Sequence, residues 1–379
     1  RAPTESPGPS PPVRPPRGRR EATRSAKGRP RAGDSEANLV KPTMALTQAR
    51  RLPPPEGAPH EPSRVLAFSP DGSLVAVDDV RGTGVRVVDV EAWRVVHHLG
   101  PADCVRFSPD GKRLAYTHRS RFGVSLVDLD AVEEAPRLLE LELPSIEVTF
   151  STDGTHLATS DGYTVFVFDL CAEPAVRLER PLSEDGCSTT LALQDSQLIV
   201  HVEELGLSRE LVMVYDMSGE PTENIDVGGW GGMGRTKLAE DGSVLLRADV
   251  RSQNRGEAVC LDVLELPGGD LLRSVRLPAA RVKQTCRPPG AYARHYAHHI
   301  TASARARTVV VDIGPANGAG NLFLLNDVIF ADPMPRIVDD RDWISSGVWL
   351  CPEGRSLYCE NEGALWNLDL GGRLGERTA

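Results

Sequence analysis

The sequence predicts an all-β protein: a β-propeller, with seven four-stranded blades as the best count, behind a disordered amino-terminal tail. Three observations carry the prediction. A phrase built of an apolar run, a Ser-Pro-Asp-Gly-type turn and two further apolar runs, the last ending in Asp, recurs along the chain. Each copy, about forty residues long, holds only short strands and turns, so it buries no apolar face alone and must stack on copies of itself. Seven turn anchors of this kind are found between Val65 and Trp366.

The first copy is Val65-Leu66-Ala67-Phe68-Ser69-Pro70-Asp71-Gly72, where Pro presets one corner of the turn and Gly accepts the positive φ at its end. Its later strands are Leu74 to Val77, Val85 to Asp89 and Arg94 to Leu99. The second copy reads Cys104 to Phe107, Arg113 to Thr117, Val124 to Asp128 and Arg137 to Leu141. The third reads Ile146 to Phe150, His156 to Thr159, Thr164 to Asp169 and Ala175 to Leu178. Further anchors fall at Asp195-Ser196, Asp241-Gly242, Ser303-Ala304 and Pro352-Glu353-Gly354, each followed by two apolar runs. The stretch from 280 to 345 is irregular, which leaves six or eight blades as alternative counts. Ala49 to Pro53 stands where an outer strand should, so it could complete the final blade; Gly372-Arg373-Leu374 is the competing donor.

Residues 1–48 form the expected tail and 49–379 the propeller. Residues 1–62 hold fourteen prolines and twelve Lys or Arg against six acids, with scarcely an aliphatic or aromatic residue before Val40. Such a stretch buries too little apolar surface to offset its ordering entropy. The chain opens on Arg1 and its first methionine is Met44, so a start at Met44 would leave most of the tail untranslated. The whole chain carries a net charge of −10, so the remainder holds −16 and disfavours nucleic acid and anionic membrane as partners. Seven cysteines at irregular spacing, with no Cys-x-x-Cys, indicate neither a disulfide framework nor a zinc site. No apolar stretch approaches a membrane span and nothing resembles a signal peptide. The expectation is a cytoplasmic monomer, and five lysines against thirty-eight arginines suggest a bacterial, GC-rich genome.

The Phe-Ser-Pro-Asp-Gly turn, with a third strand ending in apolar-Asp, resembles the WD40 family and bacterial propellers with YVTN-type repeats over residues 49 to 372. In WD40 repeats the third strand ends Trp-Asp and a Gly-His pair precedes the repeat. Here the Trp position holds Val88, Val127, Phe168, Tyr215, Leu261 and Asn326, while Asp89, Asp128, Asp169, Asp216, Asp262 and Asp327 keep the acid; no Gly-His pair occurs. The resemblance speaks to fold, since propellers host many unrelated functions.

Hydrolase, phosphate-loop and zinc-protease motifs are absent, so no catalytic residue, metal ligand or cofactor is assigned. The candidate binding residues are Trp230 and Arg235 in the glycine-rich run 228–235, the loop arginines Arg81, Arg121 and Arg255, and the cluster Tyr292, His295 and Tyr296. Aromatic and Arg side chains dominate binding hot spots. Strand alternation would place His295 and His299 on one face of the sixth innermost strand, and Tyr296 and His298 on the other. The expected function is a non-catalytic scaffold that binds a protein or peptide through its loops. The alternatives are a lactonase-like propeller hydrolase and an accessory propeller that binds a small ligand.

Overall fold

The structure is a computed structural model that describes residues 50–370, apart from 80–83, 119–121, 132–134, 172–174, 183–185, 195, 205–208, 230–234, 254–255, 278–294, 304–307, 316–320, 327–335, 338–344, 353, 355 and 362–363. The candidate tail and the alternative closing segment Gly372-Arg373-Leu374 thus lie outside the described residues.

Twenty-eight strands form seven antiparallel sheets of four. Blade one comprises β2 (Pro62–Phe68), β3 (Leu74–Asp79), β4 (Val85–Asp89) and β5 (Arg94–His98). Blade two follows with β6 (Val105–Phe107), β7 (Arg113–Thr117), β8 (Val124–Asp128) and β9 (Arg137–Leu139). Blade three is β10 (Glu147–Phe150), β11 (His156–Ser160), β12 (Thr164–Asp169) and β13 (Ala175–Pro181). Blade four is β14 (Cys187–Leu193), β15 (Gln197–Glu204), β16 (Arg209–Asp216) and β17 (Pro221–Gly229). Blade five holds β18 (Arg235–Leu238), β19 (Val244–Gln253), β20 (Gly256–Glu265) and β21 (Leu271–Leu277). Blade six holds β22 (His295–Ser303), β23 (Thr308–Pro315), β24 (Asn321–Asn326) and β25 (Arg336–Ile337). Blade seven joins β26 (Ser345–Leu350), β27 (Ser356–Asn361) and β28 (Ala364–Asp369) to β1 (Arg50–Arg51), the first strand of the chain.

The recurrent turn explains its own composition. Ser69 Oγ donates to Asp71 Oδ1 at 2.6 Å and accepts from the Leu74 amide at 2.8 Å, while the Ser73 amide donates to Asp71 at 3.1 Å. Ser108, Asp110 and Lys112 repeat the pattern, as do Ser151, Asp153 and Thr155. Gly72, Gly111, Gly154, Gly242 and Gly354 all take φ between 68° and 73°, which a side chain would strain. Donation from the serine hydroxyl lowers the pKa of Asp71, Asp110 and Asp153, the last to about 2.

Burial lies between blades, in seven apolar clusters among the described residues. Each second strand holds two or three consecutive buried apolar residues because both its faces are covered there. In β15, Leu198 and Val200 pack toward blade three, whereas Ile199 between them packs toward blade five. The innermost strands contact one another in succession, β2 to β6 and onward to β26, and β2 in turn meets β27 and β28, which closes the ring. Arg50 pairs with Asn367 and Arg51 with Trp366, and the Leu52 amide donates to the Leu365 carbonyl at 2.9 Å. Closure by the amino-terminal segment is therefore realised, and no sheet is left a strand short.

Candidate functional site

In an antiparallel four-stranded blade, the turns after the first and third strands lie at one end of the sheet. The loop after the second strand and the connection to the next blade lie at the other. At this second end, four large apolar side chains of blades two and three face solvent: Phe122 (54% exposed), Tyr163 (46%), Leu143 and Ile146 (both 42%). Phe122 and Tyr163 belong to loops after second strands, and Leu143 and Ile146 to the connection from blade two to blade three.

The backbones of Tyr163 and Ile146 are held. Asp161 Oδ1 accepts from the amides of Tyr163 at 2.8 Å and Thr164 at 2.7 Å. The Tyr163 carbonyl accepts from Leu182 at 2.7 Å, and the Ile146 amide donates to Ser160 at 2.8 Å. The tyrosine ring leans on Gly186, where a Cβ would stand 3.1 Å from Cζ; Ile146 Cδ1 lies 3.3 Å from the equivalent point on Gly162. In the same loop as Phe122, His118 Nε2 lies 2.7 Å from the Ser125 hydroxyl, and its ring tilts against Tyr116 at 4.8 Å. Tyr163 and Ile146 are thus pre-positioned, which would lower the ordering entropy of binding there.

Of the residues singled out from sequence, Trp230, Arg81, Arg121, Arg255 and Tyr292 lie outside the described residues. Arg235 opens β18 and is exposed, and His295 and Tyr296 open β22 opposite Pro315 and Gly314. The alternation expected from His295 to His299 is broken. A bulge between Ala297 and His299 sets Ala297 against Ile313 but His299 against Asp312, so Ala297 and His299 take opposite sides of the ladder despite their two-residue spacing. Burial raises the Asp312 carboxyl to about 7. Among the described residues no three His, Cys, Asp or Glu side chains gather into a set that could hold a metal, and no helix is long and apolar enough to cross a membrane.

The acid that closes each third strand serves a local purpose. Asp89, Asp128, Asp169 and Asp216 accept, through Oδ1, from the amides of Ala92, Asp130, Cys171 and Ser218 at 2.8–2.9 Å, capping the turn to the outer strand. In blade five the register corrects the assignment of this position. Glu265 pairs with Val244, the first residue of β19, whereas Asp262 lies three residues earlier, buried and opposite Arg247. Asp327 lies outside the described residues, and in blade six Asn326 stands opposite Thr308. Contacts between blades are made by other side chains: Arg113 Nη2 donates to the Gly154 carbonyl at 2.6 Å, Arg180 Nε to Gly219 at 2.7 Å and Gln194 Nε2 to Asp241 at 3.0 Å.

No family model matches the chain, and no curated protein sequence does. Among solved structures, the Cps50 (Swd1) β-propeller domain of Myceliophteria thermophila is 14% identical, with a TM-score of 0.59 over 85% of this chain and 99% of that one. The RRP9 WD40 repeats are 13% identical, with a TM-score of 0.59 over 87% of this chain and 99% of that one. The fold is a WD40-like propeller. Kuenenia stuttgartiensis hydrazine synthase is also similar, 15% identical with a TM-score of 0.56 over 82% of this chain and 95% of that one. At these identities the likeness of the WD40-like propeller to all three concerns architecture.

The sequence reading did not single out Phe122, Leu143, Ile146 and Tyr163. Their one sequence signal is that Phe122 and Tyr163 sit beside glycines, Gly123 and Gly162, between strands whose apolar residues are already accounted for.

Proposed function

We propose that this WD40-like propeller is a non-catalytic scaffold that docks a protein or peptide on the loop face of blades two to four. The observation that supports this reading is the exposed apolar group Phe122, Leu143, Ile146 and Tyr163 on one end of the ring, with Ile146 and Tyr163 held by backbone hydrogen bonds. Exposed aromatic side chains on a rigid support are typical anchors of protein interfaces. Arg235, which opens β18, and the sequence candidates Trp230, Arg81, Arg121 and Arg255 extend the reading. The cluster Tyr292, His295 and Tyr296 adds a contact at blade six. Residues 1–48 are a separate tail in this reading, and the propeller acts as a cytoplasmic monomer. The closed ring, in which no described sheet lacks its fourth strand, supports the second point.

Peptides selected from a random display library on the immobilised full chain test the reading. The double variant Phe122→Ser, Tyr163→Ser is expected to lose roughly tenfold or more in affinity for them with its thermal midpoint unchanged. Wild-type affinity in that variant would remove the face as the docking site. Trp230→Ala in the same assay tests Trp230 as a second anchor.

A further inference from the structure

A second cluster lies on the axis of the ring. Arg106 in β6 and Lys237 in β18 are equivalent by register: each is the penultimate residue of its innermost strand and faces the second strand at the same step, Arg106 opposite Ala115 and Lys237 opposite Leu246. Elsewhere this level is held by Ala67, Thr149, Ala192, Thr301 and Trp349, all uncharged. Two cations from blades two and five thus share a ring whose other members carry no charge.

Their surroundings differ. Arg106 Nη2 donates to Glu147 Oε1 at 2.7 Å and Nη1 to the Val105 carbonyl at 2.9 Å. The second oxygen of Glu147 lies 3.6 Å from the Cys104 thiol, which burial keeps protonated with a pKa of about 12. Glu147 is thereby engaged through both oxygens. Lys237 is half-buried and makes no hydrogen bond or ion pair with the described residues, although Arg106, Glu147, Glu240 and Cys104 all lie within electrostatic reach of it. Desolvation, and then the like charge of Arg106, lowers the pKa of its ammonium. An enclosed cation without a direct partner is costly, and the like charge of Arg106 adds to that cost.

We propose that the axial channel binds a small oxyanion, a phosphate or carboxylate group, between the Lys237 ammonium and the Arg106 guanidinium. The anion accepts from Lys237, which has a donor to give, and approaches Arg106 on the side not taken by Glu147. Glu240, exposed in the turn after β18, competes with it by charge. This site is independent of the apolar loop face.

Calorimetric titration of the full chain with inorganic phosphate and, separately, malonate at ionic strength matched with sodium chloride tests the proposal. Saturable binding of either probe is expected, and the one that binds names the ligand chemistry. Lys237→Met should weaken it roughly tenfold or more, as expected for loss of a charge-assisted hydrogen bond. Glu240→Gln should tighten it, and the exposed Arg209→Gln should leave it unchanged. Absence of saturable binding of both probes to the wild type would overturn the proposal, as would undiminished affinity in Lys237→Met. Should Lys237→Met fail to fold, Glu240→Gln decides: unchanged or weaker affinity there also overturns it.

Discussion

Thr236 Oγ1 donates to Glu210 Oε2 at 2.6 Å, a bond that runs from the innermost strand of blade five to the third strand of blade four. Glu210 is 7% exposed, and His201 Nε2 lies 3.5 Å from the same carboxylate oxygen. Thr236→Val keeps the shape and removes the donor to a buried carboxylate. It should cost about 1.5–3 kcal/mol, the usual range for a hydrogen bond to a charged group. Urea denaturation measures this, and an unchanged midpoint at an unchanged slope would mean that the bond adds nothing.

The recurrent turns make an acid-side prediction. The Asp153 pKa is about 2 in the folded protein against an ordinary 3.8, so its contribution is whole above about pH 4 and is lost as pH falls toward 2. Asp153→Asn should lower stability at pH 7 by ~0.5–1 kcal/mol, since the carboxylate is exposed and solvent screens it. It should have little effect near pH 2. Thermal melts of both proteins from pH 2 to 7 would show the two curves converging in acid; parallel curves would refute the assignment.

Asp312 acts in the opposite direction. Its folded value of about 7 lies above the ordinary 3.8, so the unfolded chain ionises first and stability is withdrawn as pH rises between those values. Asp312→Asn should leave the melting midpoint nearly unchanged at pH 4 and raise it by several degrees at pH 8. Equal midpoints at pH 8 would place the carboxyl in a more polar setting than its burial implies.

Removal of residues 1–48 should leave thermal stability unchanged, because the strand that completes blade seven begins at Arg50. Removal of residues 1–54 takes away β1, the Leu52 bond to Leu365 and the Pro53 carbonyl that accepts from Trp93 Nε1 at 2.8 Å. That truncation should lower the midpoint by several degrees and expose the edge of β28. Comparison by differential scanning calorimetry separates the two outcomes.

Architecture was more legible than the binding face, and the reason is physical. Ser69-Pro70-Asp71-Gly72 and its copies are local: hydroxyl, carboxylate and glycine within five residues determine the turn, so the sequence displays it. Blade four lacks the phrase, and its hairpin closes with Gln194 N donating to the Gln197 carbonyl, a tighter turn recognisable only by the apolar runs around it. The bulge at Ala297–His299 left no mark in the residue pattern, because register is set by the partner strand. The loop-face patch was likewise hidden. Exposure of Phe122 or Tyr163 depends on which other loops share that end, a property of the closed ring and of no single repeat.

The segment that seals blade seven is the earliest part of the propeller to leave the ribosome, and its partner, β28, is the last. During synthesis six blades wait with the apolar faces of blades one and six uncovered, and the last blade, until β1 joins it, offers the edge of β28 to a stray strand from another nascent chain. Faithful biogenesis therefore turns on keeping Arg50–Arg51 available until Asn367 and Trp366 emerge, and slow translation of the final blade would favour interlocked oligomers over the finished wheel.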